Sequence, residues 1–239
     1  MVGKSAGSLI RALRARANPA KAEVLARFFK SGPGEYGAGD KFWGLSVPVV
    51  RAVVKDYRGL PLGEVAKVLA HDVHEVRLAG CLVMVAGYQA AATDADRARV
   101  FDFYLQHADR INNWDLVDTS APQVVGAHLL AAGADTRLLD ALAASPVLWR
   151  RRIAVIATFA FIRAGKYEPT LRLCGRLLGD PEDLMHKACG WMLRETGKRG
   201  GMKELRGFLA AHHRTMPRTM LRYAIEHMDV GERAKWMGR

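Results

Sequence analysis

The chain has 239 residues, half of them apolar, so it can bury a sizeable core. Lys and Arg number 36 against 24 Asp and Glu, a net charge of +12 and a pI near 10. That surplus points to a polyanionic partner, with nucleic acid ahead of an anionic membrane. No apolar run reaches membrane-spanning length, and Met1 to Arg16 shows scattered cations and no apolar signal region.

Helical periodicity runs from end to end and no convincing alternating strand is visible. A first helix is predicted over 8–16. Asn18-Pro19 starts a second over 18–30. The glycine-rich run Ser31–Asp40 lacks the Lys-Ser/Thr ending of a phosphate-cradling loop and reads as a connector. Ser46 can then cap a helix with Pro48 in its first turn and Arg51 and Lys55 at i, i+4. Further helices are predicted over 61–70, 73–89, 94–109, 111–119, 121–131, 135–143, 146–163, 167–178, 182–198, 202–212 and 217–228. Short connections between so many helices imply antiparallel neighbours. Cys81, Cys174 and Cys189 sit inside apolar helical patterns without C-x-x-C spacing and read as core residues in a reducing compartment.

An internal repeat is present. Arg77-Leu78-Ala79, Arg152-Ile153-Ala154, Lys187-Ala188-Cys189 and Arg222-Tyr223-Ala224 each place a cation two before a small residue. From 152 to 187 and from 187 to 222 the step is 35 residues, and from 77 to 152 it is about two such periods. Helix pairs of this period stack into a HEAT-like helical-repeat solenoid. The expected fold is therefore all-α, one domain over 1–239, with these cations lining a concave basic groove. A step of 34 residues back from Arg152, close to one period, lands on Asp118, an acid in a column of cations.

Asp118 belongs to Ile111-Asn112-Asn113-Trp114-Asp115-Leu116-Val117-Asp118. On a helix Trp114 and Asp118 share a face, and Asp115 points elsewhere. An indole beside a carboxylate suits a cationic, ring-shaped group. The plain alternative is a buried tryptophan with a helix-end aspartate bonding to backbone. Trp191, four residues after Lys187, shares that repeat's face, and Trp149 lies three before Arg152. Tryptophan is also ordinary filler between paired helices. A carboxylate opposes phosphate contact and is useful where positive charge is bound or develops. Alkylated purines are cationic bases whose glycosidic bond breaks with oxocarbenium character, which a carboxylate stabilises.

At these residues the sequence resembles the AlkD-like DNA glycosylases, which are built from HEAT-like repeats. The matching text is Trp114–Asp118, Leu148–Ala154 and Lys187–Glu195, and Phe42–Arg51 resembles the family's N-terminal DNA-contacting helix. The resemblance implies that Asp118 is catalytic and that Trp114 and Trp191 contact the lesion-side deoxyribose. It also implies that Arg152 holds nearby backbone. Ser46, Arg51, Arg77, Lys187 and Arg194 complete the expected DNA-binding set. It implies excision of N3- and N7-alkylpurines from duplex DNA without base flipping, a departure from most glycosylases.

His71-x-x-His74 is metal-like in spacing but sits at a helix start with no cysteine partner; no H-E-x-x-H helix and no serine nucleophile elbow are visible, and the carboxylate mechanism calls for no cofactor or metal. His71-x-x-His74 reads as a surface or capping pair, and His212-His213 as solvent or phosphate contact. The expected partner is double-stranded DNA carrying alkylated purines, with no membrane and the protein a monomer. The expected location is cytoplasmic, at the nucleoid during action on DNA. The rival is a non-catalytic repeat scaffold that binds nucleic acid or an acidic protein, which would need the cations but not Asp118.

Overall fold

The structure is a computed structural model that describes residues 4–133 and 135–238. Among the described residues the regular structure is helical, apart from one isolated parallel bridge between Lys41 and Val73. The sequence predicts one domain, and the chain divides into two compact units, 1–120 and 121–239.

In the first unit, Ser5 and Ser8 cap each other's backbone and start α1 (Ala6–Arg14), which buries Leu9 and Leu13. Asn18 accepts from the Lys21 N–H at 3.1 Å and Pro19 opens α2 (Pro19–Phe28). A long loop leads to α3 (Val47–Val54), a 3-10 turn at Lys55–Tyr57 and α4 (Leu62–Leu69). The central helix is α5 (His74–Ala90), buried almost continuously from His74 to Met84. It packs against α3, α4, α6 (Asp94–Gln106) and α7 (Trp114–Ser120). A helix with neighbours on every side reads as apolar all round, as α5 does from Leu78 to Met84, while its buried first turn carries His74, Glu75 and Arg77.

In the second unit a π turn at Pro122–Gly126 leads into α8 (Ala127–Ala131), followed by α9 (Arg137–Ala143), α10 (Leu148–Ala157) and α11 (Phe159–Arg163). The sequence predicts α10 and α11 as one helix over 146–163. Thr158 interrupts it: its hydroxyl donates to the Val155 carbonyl at 2.6 Å, and its backbone N–H reaches back three residues instead of four. Then come α12 (Glu168–Arg176), α13 (Asp183–Lys198), α14 (Met202–His212), α15 (Arg218–Ala224) and α16 (Val230–Met237). The sequence predicts one helix over 217–228 where α15 ends at Ala224, and its pattern gives no helix corresponding to α16, whose cap is Asp229 accepting from the Glu232 N–H at 2.8 Å. The core of this unit is α13, packed on α10, α12, α14 and α15.

The repeat is real, but its register needs one correction. Arg77 donates Nη1 to the carbonyls of His71 and Asp72, six and five residues before it. Arg151 donates Nη1 to the carbonyls of Ser145 and Pro146, again six and five before. His186 reaches the Asp180 carbonyl, six before. Arg77 thus corresponds to Arg151 and His186, each the fourth residue of its helix. Arg152, Lys187 and Arg222 are fifth residues, and so is Asp118 in α7. By position within their helices, Asp118 therefore matches Arg152, Lys187 and Arg222, and Arg77 does not.

Candidate active site and nucleic-acid interface

Trp114 opens α7 and Asp118 lies one turn on, so both share a face, and both are half-buried. The Trp114 indole stacks on Phe29 at 5.3 Å and meets the edge of Phe28 at 6.0 Å. Phe28 is 61% exposed, so the aromatic cluster reaches from core to solvent.

The first turn of α7 is held from below by a buried polar network. Asn113 accepts from the Trp114 N–H at 2.8 Å and donates to Asp40 at 3.0 Å. Asp115 accepts from the Leu116 N–H at 2.9 Å through one oxygen and meets His74 Nε2 at 2.9 Å through the other. His74 Nδ1 lies 3.0 Å from Asp40, whose second oxygen takes an N–H of Arg77 at 2.5 Å. His74, Arg77 and Asn113 are each at most 2% exposed. Burial alone would lower the His74 pKa, but its hydrogen bonds to the Asp115 and Asp40 carboxylates raise it to about 9. Burial likewise opposes ionisation of Asp40, and His74, Arg77 and Asn113 together hold its carboxyl below the usual range.

Arg77 was expected in the groove, but it is sealed inside the unit and its guanidinium serves Asp40 and two carbonyls. It offers no cation to phosphate. His74 is not a surface or capping residue but 1% exposed. His71 does act as a local cap, accepting from the Val73 N–H at 3.0 Å. Asp115, given no role by its position on another face, is one end of the network.

The segment before α3 is pinned by another buried acid. Glu75 is 2% exposed and accepts from the N–H groups of Trp43, Gly44 and Leu45 at 2.8–3.1 Å. This loop delivers Ser46 and Arg51, both exposed. Ser46 stands at the N-cap position, yet its hydroxyl makes no capping bond.

In the second unit, Arg152 is 5% exposed and donates Nη1 to the Leu184 carbonyl at 2.7 Å, tying α10 to α13. Leu184, Lys187 and Trp191 follow one face of α13. Lys187 pairs with Asp183 at 2.8 Å, and the half-buried Trp191 ring lies 6.0 Å from Phe159. Arg194 pairs with Glu226 and lines a cavity of about 560 Å³ with Arg222, Tyr223 and Arg233. Arg222 itself is exposed.

The cysteines are free and buried, as predicted, and burial pushes the Cys81 thiol up to about 12, so it is no nucleophile near neutral pH. Among the described residues no cluster of three or more His, Cys, Asp or Glu is arranged to hold a metal, and no helix is long and apolar enough to cross a membrane.

The family of DNA alkylation repair enzymes matches residues 9–228. A solved structure described as a predicted DNA alkylation repair enzyme from Enterococcus faecalis superposes with a TM-score of 0.69 at 14% identity. The match covers 90% of this chain and 97% of that one, and at this identity it shows the shared fold. No curated protein matches. With a family match over nearly its whole length and an all-α repeat fold to go with it, the chain belongs to the DNA alkylation repair enzymes.

Proposed function

We propose that this protein is a monofunctional DNA glycosylase that hydrolyses the N-glycosidic bond of N3- and N7-alkylated, cationic purines in duplex DNA. The observation that carries this reading is the pairing of Trp114 and Asp118 on one face of a helix whose first turn is fixed in place. The indole face attracts cationic character and the carboxylate complements positive charge growing on the sugar. As the bond breaks, the base leaves as a neutral purine with the bonding electron pair. Water adds to the anomeric carbon and gives its proton to Asp118 or to solvent. No lysine stands at this position, so the step proceeds without a Schiff base and without cofactor.

In the same reading Trp191 joins Trp114 against the deoxyribose, and Arg152 orients the segment beside it. Ser46, Arg51, Lys187 and Arg194 contact backbone in a basic groove. The lesion is processed without flipping, by a monomer in the cytoplasm. The basic surplus alone also fits a non-catalytic scaffold, and the acid among the cations favours the enzyme.

The deciding experiment is release of free alkylpurine from methylated duplex DNA, with Asp118→Asn beside the wild type. The enzyme reading expects release by the wild type and a loss of about a hundred- to a thousandfold in the variant, on the order of 3–4 kcal/mol. DNA binding by the variant should hold or tighten, because a negative charge has left a basic surface. Equal release by both proteins, or none by the wild type, would overturn it.

A further inference from the structure

The contacts of His74 fix its charge. Both ring nitrogens lie at hydrogen-bond distance from carboxylate oxygens, Nδ1 from Asp40 and Nε2 from Asp115. A neutral imidazole carries one N–H and would turn a lone pair toward one of these acids. Two carboxylates are served together only by the imidazolium. Charge then closes as well: His74 and Arg77 balance Asp40 and Asp115 within a network that water barely reaches.

We propose that His74, held as an imidazolium between Asp40 and Asp115, is a positioning residue that sets where Trp114 and Asp118 stand. This rests on the glycosylase reading of that pair. Asp40 reaches the start of α7 by two routes, directly through Asn113 and through His74 to Asp115. Those two α7 contacts flank Trp114 in sequence, and Asp118 lies one turn beyond Asp115. Asp40 is itself fastened beside α5, because the His74 N–H donates to the Lys41 carbonyl at 2.8 Å. Phe29, whose ring stacks on Trp114, also covers the His74 ring at 4.5 Å, and Phe42 covers it at 5.1 Å.

Other charged and titratable groups nearby are turned to other work. Glu75 faces the 43–45 loop, Lys41 pairs with Asp72 outside, His71 accepts from Val73, and the Cys81 thiol stays protonated below Asp115. Without the imidazolium, Asp40 and Asp115 are left with the single charge of Arg77 between them. Its ordinary titration would come near neutrality, and these partners move it to about 9.

The test labels the five tryptophans with 5-fluorotryptophan and assigns Trp114 with Trp114→Phe. In the wild type, the Trp114 fluorine resonance should titrate with an apparent pKa near 9. In His74→Gln it should be displaced at neutral pH and should no longer titrate there. His74→Gln should slow single-turnover excision between about tenfold and a hundredfold, the scale of a small misplacement, with DNA affinity within about twofold. The double variant His74→Gln/Asp115→Asn removes the imidazolium and one carboxylate together. It should return the Trp114 resonance toward the wild-type position and recover most of the rate, although it alters more shape than the single variant. A wild-type Trp114 resonance that stays flat through this range, or a double variant as displaced as the single, would overturn the proposal. If His74→Gln fails to fold, the wild-type titration still decides. If the wild type releases no alkylpurine, the glycosylase reading falls, and the fluorine measurements still judge the positioning role.

Discussion

His74 Nε2 lies 2.9 Å from an oxygen of Asp115, at a point where both residues are almost fully enclosed. A buried ion pair of this kind links the stability of the first unit to pH. The His74 pKa in the folded protein, about 9, exceeds its ordinary value of about 6.5. Its contribution is therefore whole below about pH 6.5 and is lost as pH rises through about 9. The difference corresponds to roughly 3 kcal/mol. Denaturant unfolding at pH about 6 and about 10 should show a loss of this order in the wild type, and His74→Gln should show little slope across the same range. A wild-type stability that is level over this interval would mean that the imidazolium is not formed.

Arg77 and Arg51 should part company in a binding experiment. Arg77→Ala leaves Asp40 buried against a missing partner and should cost about 3–5 kcal/mol of stability. It should leave the salt dependence of DNA binding by the folded protein unchanged. Arg51→Ala should barely alter stability, because the residue is exposed. It should reduce the slope of log affinity against log salt by about one unit. An Arg77→Ala protein that folds normally and loses a unit of slope would restore Arg77 to the interface.

Glu75 is the acceptor for three successive backbone N–H groups. Glu75→Gln keeps the size and loses the charge, which should cost about 1.5–3 kcal/mol. Amide exchange at Trp43, Gly44 and Leu45 should quicken before exchange in the α5 core does. The same loop is intolerant at Gly44, whose φ is +79° and whose added Cβ would sit 2.1 Å from the Asn18 carbonyl oxygen. Gly44→Ala should accordingly be among the most destabilising single substitutions in the unit, measured as a drop in the unfolding midpoint.

Helices were legible because their signals are local. Apolar spacing, Asn18-Pro19, and the short connections place most of them within a few residues. Trp114 and Asp118 were legible too, since an i, i+4 pair on a helix needs nothing beyond the two residues. The network beneath them was not. Asp40 lies in a glycine-rich loop, and His74 and Asn113 lie 34 and 73 residues beyond it. No local pattern says that these three meet. Arg77 and Arg152 carry the same side chain at what looks like the same phase, and a slip of one residue separates them in the repeat. The tell was Arg151: an adjacent arginine left the phase open, and only the matching pair of carbonyls at five and six residues back resolved it. The break at Thr158 escaped because a side chain bonding to its own backbone leaves no mark on hydrophobic period.

Gly190, the residue before Trp191, has its backbone against α15. A Cβ there would come within 2.6 Å of the Met220 carbonyl oxygen and 2.5 Å of the Tyr223 Cβ. The bearing of Trp191 is thus set by atoms in hard contact, which neither protons nor salt can loosen. Trp114, by contrast, rests on a network of charges. The two indoles should respond to different stresses. Alkali should disturb the surroundings of Trp114 and leave those of Trp191 quiet. A single added methyl in Gly190→Ala should do the reverse, forcing the helices apart and turning Trp191 while Trp114 keeps its place.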